Sequence, residues 1–167
     1  MHKNSHFKTV VAIDFNEKAA DTFKKNMPDT EVIVGDITDD KTKDRIITES
    51  KLKGVNMIIG GPPCQGFSMK GKKLGLNDPR NFLFMEYLNL VQEIQPEVFV
   101  IENVKSLLNT AGGWFKDEIL NYIHKLGYKV QYGVLNAKNL ECRRQERELY
   151  LYVQSIRILP YLREMNV

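Results

Sequence analysis

Cys64 lies in "GGPPCQGFS", residues 60–68, a stretch with two prolines directly before the thiol and a glycine two positions after it. That pattern constrains the local backbone, and a preorganised turn at the end of an apolar run is where a nucleophile is useful. A thiolate there can attack an electron-poor ring carbon, and nearby backbone amides or cations would lower its pKa. The ordinary alternative, a small buried hydrophobe, does not account for the flanking residues. Glu102 follows four apolar residues in "VFVIENV". A carboxyl so placed is costly unless it is paired or used, and a partly buried one can hold a proton near neutral pH and donate it to a ring nitrogen. Asn103 beside it is suited to hold the Cys64 turn through side-chain hydrogen bonds. Asp14 suits ribose hydroxyls, with a helix-capping acid as the alternative. Asp36 in "VGDIT" suits an adenine amino group, with a plain turn aspartate as the alternative.

These residues need a scaffold that brings strand ends together. "FKTVVAID", "TEVIVGD", "GVNMIIGGPP", "PEVFVIENV" and "YKVQYGVLNA" read as strands, mostly apolar runs closed by polar residues. "EKAADTFKKN", "RNFLFMEYLNLVQEIQ" and "WFKDEILNYIHKLG" have helical spacing, the last stopping at Gly127, while "DDKTKDRIITES" reads as a polar, weakly helical link. Residues 68–79, rich in glycine and lysine, are expected to form a mobile loop. "ELYLYV" alternates and suits an edge strand. Strands alternating with helices predict an α/β fold with a parallel sheet, in which ligands bind at the carboxyl ends of the strands. Asp14, Asp36, Cys64 and Glu102 all fall there.

Composition restricts the alternatives. The 167 residues are most simply one domain, 1–167. Twenty-four basic against 21 acidic side chains give a net charge of +3, which permits an anionic partner such as nucleic acid without arguing for one. The 2 cysteines form neither a disulfide framework nor a zinc spacing, so a reduced, cytoplasmic protein without a metal is expected. No apolar run has membrane-spanning length, and the N-terminus has no signal-peptide pattern.

In this order, "AIDFNEKAADTF", "GGPPCQGFS" and "LNDPRNFLFMEYLNLVQEIQPEVFVIENV" resemble the cytosine-5 DNA methyltransferase family over roughly residues 6–139. The resemblance implies a Rossmann-like, S-adenosylmethionine-dependent methyltransferase core with an incomplete doubly wound, mostly parallel sheet. It also implies a reaction: a cytosine is flipped from double-stranded DNA, Cys64 bonds to ring carbon 6, Glu102 stabilises protonated nitrogen 3, and carbon 5 takes the methyl group. By match of positions, Asp14 would hold the cofactor ribose, Phe15 would pack on its adenine, and Asp36 with Ile37 would read the adenine edge. Pro63 and Leu83 would line the cofactor. Gln65, Ser68, Lys70 and Arg80 would meet the DNA, with Lys72 and Lys73 as further phosphate contacts; a solvated charge run is the alternative for the lysines.

Three features depart from the family pattern. The family opens with a glycine-rich cofactor loop, whereas the residues before Asp14 contain no glycine, and the lone chain is expected to bind cofactor poorly. No segment after residue 139 matches a target-recognition domain. The family's arginine motif is replaced by "NLECRRQERELYLYV", in which Arg143, Arg144 and Arg147 are a rough substitute. Synonymous codons chosen for 140–148 (TTG GAG TGC CGC AGA CAA GAG AGA GAG), shifted to start at the third base, spell Gly-Val-Pro-Gln-Thr-Arg-Glu-Arg. Residues from about 140 to 167 are therefore expected to be a frameshifted tail in which Cys142 has no role; the nucleotide sequence decides this. The chain is expected to be weakly active or inactive alone. Open alternatives are one piece of a split enzyme with a complementing methyltransferase chain, a component of a restriction endonuclease system, a non-catalytic DNA- or partner-binding remnant, or an RNA cytosine-5 methyltransferase.

Overall fold

The computed structural model describes residues 7–63, 82–104, 113–136 and 147–155. Ten elements follow in the order β1 (Val11–Asp14), α1 (Glu17–Asn26), β2 (Glu31–Val34), α2 (Asp40–Leu52), β3 (Met57–Gly60), α3 (Phe82–Ile94), β4 (Val98–Val104), α4 (Trp114–Lys125), β5 (Tyr128–Asn136) and β6 (Arg147–Ser155). The expected α/β alternation is thus present. The chain divides into two compact units, one of residues 1–56 with 86–95, the other of 57–85 with 96–167.

In the first unit β1 and β2 pair in parallel, Val11 opposite Glu31 through Asp14 opposite Val34. Ile33, Ile46 and Leu90 form its buried centre, with Val11, Ile13, Ile37, Ile47 and Ile94 packed around them. The segment expected to be a weakly helical link is the full helix α2. Two local causes explain the difference. Asp39 caps the helix, its Oδ2 accepting from Thr42 N at 2.9 Å and from Thr42 Oγ1 at 2.9 Å. Ile46 also buries against the β2 core, and such packing supplies most helical stability in proteins. Lys43 extends from α2 to Asp40 Oδ1 (2.9 Å) and to Glu86 Oε2 (3.3 Å), giving the buried Glu86 carboxylate a cation.

The bonds from the Thr42 backbone N–H, then from its hydroxyl, hold the Asp39 carboxyl below its ordinary 3.8. A depressed folded-state pKa means the stabilisation is complete above the unfolded value and lost as pH falls through the folded one. Below about pH 4, the melting temperature of the wild type is therefore expected to fall more steeply than that of Asp39→Asn, which keeps the cap but cannot titrate. Parallel acid limbs in a thermal scan would contradict this.

In the second unit the strand order is β3-β4-β6-β5. β3 and β4 run parallel, from Met57 opposite Val98 to Gly60 opposite Ile101. β6 is antiparallel to both β4 and β5. The edge strand expected from "ELYLYV" is therefore an interior one, paired from Val104 opposite Glu148 to Val98 opposite Gln154. Alternation reports which faces of a strand are covered, not which of its backbone edges are paired. The direction has a simple cause: residues 137–146 are too few for the crossover that a parallel neighbour to β5 would need. On β4 the side chains of Phe99 and Ile101 are fully buried. Tyr128 meets Phe99 edge-to-face at 4.9 Å, and its hydroxyl donates to Pro96 O at 2.9 Å. α4 stops where expected: Gly127, at φ 87°, donates its N–H to His124 O at 2.9 Å. Among the described residues no helix is long and apolar enough to cross a membrane.

Candidate active site

The carboxyl end of β3 lies beside β4 where the two strands pair in parallel up to Gly60 and Ile101, and β4 runs on to Val104, so Glu102 stands within the strand rather than at its end. One residue further along each chain come Gly61 and Glu102. Glu102 is half-buried and shares its strand face with the half-buried Val98 and Val100. Its carboxyl reaches the Gly61 backbone so closely that a Cβ built on Gly61 would stand 2.7 Å from Oε2. Asn103 points the other way, to the face of Phe99 and Ile101, and is 8% exposed. Its Nδ2 donates to Pro62 O at 3.0 Å. The "GGPP" segment leaving β3 is thus tied to β4 by a buried hydrogen bond, while the Glu102 carboxyl covers its glycine. Pro62 is buried and Pro63 exposed. Asn103→Ala removes the donor and leaves a buried carbonyl short of a partner, so a loss of about 1–3 kcal/mol is expected in denaturant unfolding. A loss within error would mean that the turn is held by other contacts.

A second group of acids stands at the ends of β1 and β2 in the other unit. Asp14 Oδ1 accepts from Asn16 N at 2.8 Å, and Asn16, not Asp14, caps α1 by accepting from Ala19 N at 3.2 Å. The helix-cap alternative for Asp14 is thereby removed. Asp36 Oδ1 accepts from Thr38 N at 2.9 Å, as a turn aspartate does, and the residue is exposed. Phe15 is 80% exposed directly after Asp14, whereas the Ile37 side chain packs on the core. Two carboxylates and an exposed phenyl ring at one sheet edge match the chemistry of a nucleoside: acceptors for hydroxyl or amino donors, and a flat apolar face.

The structure therefore places Asp14, Phe15, Asp36 and Ile37 at one edge of the first unit, and Pro63, Glu102 and Asn103 at one edge of the second. Leu83, half-buried on α3, falls in the second unit. Cys64, Gln65, Ser68, Lys70 and Arg80 lie outside the described residues, as do Lys72, Lys73, Cys142 and the 68–79 segment. Gly61 joins the group of Pro63, Glu102 and Asn103 without a side chain of its own. The doubled glycine closing an apolar strand was the available signal, since glycine at a strand end marks a close approach of another group.

The sequence model of the C-5 cytosine-specific DNA methylase family matches residues 1–154. The chain is 41% identical over 141 residues to Type II methyltransferase M.AquIA of Picosynechococcus sp., covering 78% of this chain and 56% of that protein. It is 39% identical over 133 residues to Type II methyltransferase M1.HphI of Haemophilus parahaemolyticus, covering 78% of this chain and 36% of that one. In three dimensions it is similar to the S. pombe Dnmt2 methyltransferase, with a TM-score of 0.66 over 91% of this chain and 45% of that chain, at 22% identity, a likeness of fold. The alignments thus span 36% to 56% of the length of these two curated relatives.

Proposed function

The chain belongs to the C-5 cytosine-specific DNA methylase family, and from that premise we propose that it carries the catalytic core of a DNA cytosine-5 methyltransferase. The observation that supports this reading most directly is the junction of β3 and β4. There the segment leading into Cys64 is tied through Pro62 O to Asn103, with the Glu102 carboxyl against Gly61. A thiol delivered from this turn and a carboxyl from the neighbouring strand are the two groups that addition to a pyrimidine ring requires.

Cys64, as thiolate, forms a bond from Sγ to carbon 6 of an extruded cytosine. Glu102 places its proton at nitrogen 3, so the ring accepts the electron pair and carbon 5 becomes nucleophilic. After methylation a base removes the carbon 5 proton, the double bond re-forms, Sγ departs as thiolate, and the nitrogen 3 proton returns to Glu102. S-adenosylmethionine, when bound, supplies the electrophilic methyl group. The residues that would hold it are Asp14 for the ribose hydroxyls, Phe15 for the adenine face, and Asp36 with the Ile37 backbone for the adenine edge. Pro63 and Leu83 would add apolar lining. Gln65, Ser68, Lys70 and Arg80 are the proposed contacts to double-stranded DNA.

The reading is tested by incubating the full-length protein and S-adenosylmethionine with a random-sequence duplex in which every cytosine is 5-fluorocytosine. Fluorine at carbon 5 cannot leave as a proton does, so even the slow turnover expected of this chain alone should accumulate as a covalent protein–DNA complex that survives denaturing electrophoresis. Failure to form any complex under conditions that give the protein a cooperative melting transition would refute catalytic competence.

A further inference from the structure

We infer that Gly61 is a positioning residue, whose missing side chain reserves the space occupied by the Glu102 carboxyl. The inference rests on the reading of Glu102 as the acid.

Glycine is commonly required where φ is positive. Among the described residues the positive-φ glycines are Gly54, Gly113 and Gly127, and Gly61 is not one of them. Its backbone is therefore open to alanine. What opposes a side chain is a single group: the ideal Cβ would stand 2.7 Å from Glu102 Oε2, but 3.8 Å from Glu102 Cδ and 3.8 Å from the Glu102 backbone oxygen. The last two are ordinary contacts. Among the described residues it is the tip of one side chain that stands in the way, so a methyl group at 61 should displace that carboxyl from its present partners. The backbone beneath has less freedom, because β3 pairs with β4 up to Gly60 and Asn103 holds Pro62 O at 3.0 Å. The fold should then tolerate Gly61→Ala, while the carboxyl loses its place. Displacement of a reacting group by about 1 Å can cost roughly 100-fold in rate.

The test compares the full-length wild type, Gly61→Ala and Gly133→Ala, with 13C-labelled glutamate side chains followed by NMR. Gly133 is the control, since a Cβ there meets nothing within 4 Å. Gly61→Ala is expected to keep its melting temperature within about 3 °C while the Glu102 carboxyl resonance and its titration midpoint move clearly beyond the control. An unmoved Glu102 resonance overturns the inference. If Gly61→Ala fails to fold, Gly61→Ala/Glu102→Ala decides: recovery of the fold supports the assignment, and continued failure overturns it. In methyl transfer, Gly61→Ala should lower kcat by about 10- to 100-fold with KM for DNA unchanged; an unchanged kcat overturns the catalytic part. Glu102→Gln, assayed beside it, separates the two readings. Full activity in that variant overturns the acid role itself, whatever the resonance does.

Discussion

Cys64→Ala abolishes the covalent complex with 5-fluorocytosine DNA and lowers methyl transfer by more than about 1000-fold. The expectation follows from the nucleophilic role proposed for the thiol rather than from packing. Addition at carbon 6 is what makes carbon 5 nucleophilic, and a methyl side chain supplies no electron pair for it. Losses on removing an enzyme nucleophile reach roughly 10⁶-fold. Alanine is smaller than cysteine and suits the same backbone, so the variant should melt close to the wild type. Cys142, the other cysteine of the chain, provides the internal comparison: Cys142→Ala should leave the complex intact. A complex that persists in Cys64→Ala and vanishes in Cys142→Ala would assign the nucleophile to Cys142 and overturn the reading of Cys64.

Glu102→Gln lowers the methylation rate by about 10²- to 10⁴-fold, the usual contribution of a positioned general acid. The amide has nearly the shape of the carboxyl, so it can occupy the same space against Gly61 and leave the β4 pairing with β3 and β6 undisturbed. It can still donate a hydrogen bond to nitrogen 3 but cannot transfer a proton there. The loss should therefore appear in kcat while DNA affinity holds. Single-turnover rates against DNA-binding titrations make the separation. A rate within about threefold of wild type, well below the 10²-fold minimum for such a group, would remove Glu102 from the chemistry. Because Asn103 is adjacent but faces the buried side of β4, its substitution should instead appear first as lost stability. The two neighbours thus give opposite signatures, one kinetic and one thermodynamic.

Much of this was legible in the residues. Apolar runs leading to Asp14, Gly60 and Glu102 announced three strands, the last continuing to Val104, and the periodicity around Phe82–Ile94 and Trp114–Lys125 announced two helices. Asn103, read from the sequence as suited to hold the Cys64 turn, donates to Pro62 O. α2 is faint in the sequence because its signal is sparse: one capping acid and a short apolar stripe, in an otherwise charged segment, gain support when Ile46 packs with Ile33 and Leu90.

The sequence by itself determined the chemistry available: which residues form most strands and helices, and the presence of a proline-flanked thiol and of an acid that follows an apolar strand run. Those are local facts, set by composition and by periods of 2 and 3.6 residues. Tertiary structure alone decided who neighbours whom. It put Asn16 rather than Asp14 on the α1 cap, placed β6 between β4 and β5, and laid the Glu102 carboxyl over Gly61. Strand order and close approach depend on backbone edges and on the absence of a Cβ, and neither leaves a periodic mark in the chain.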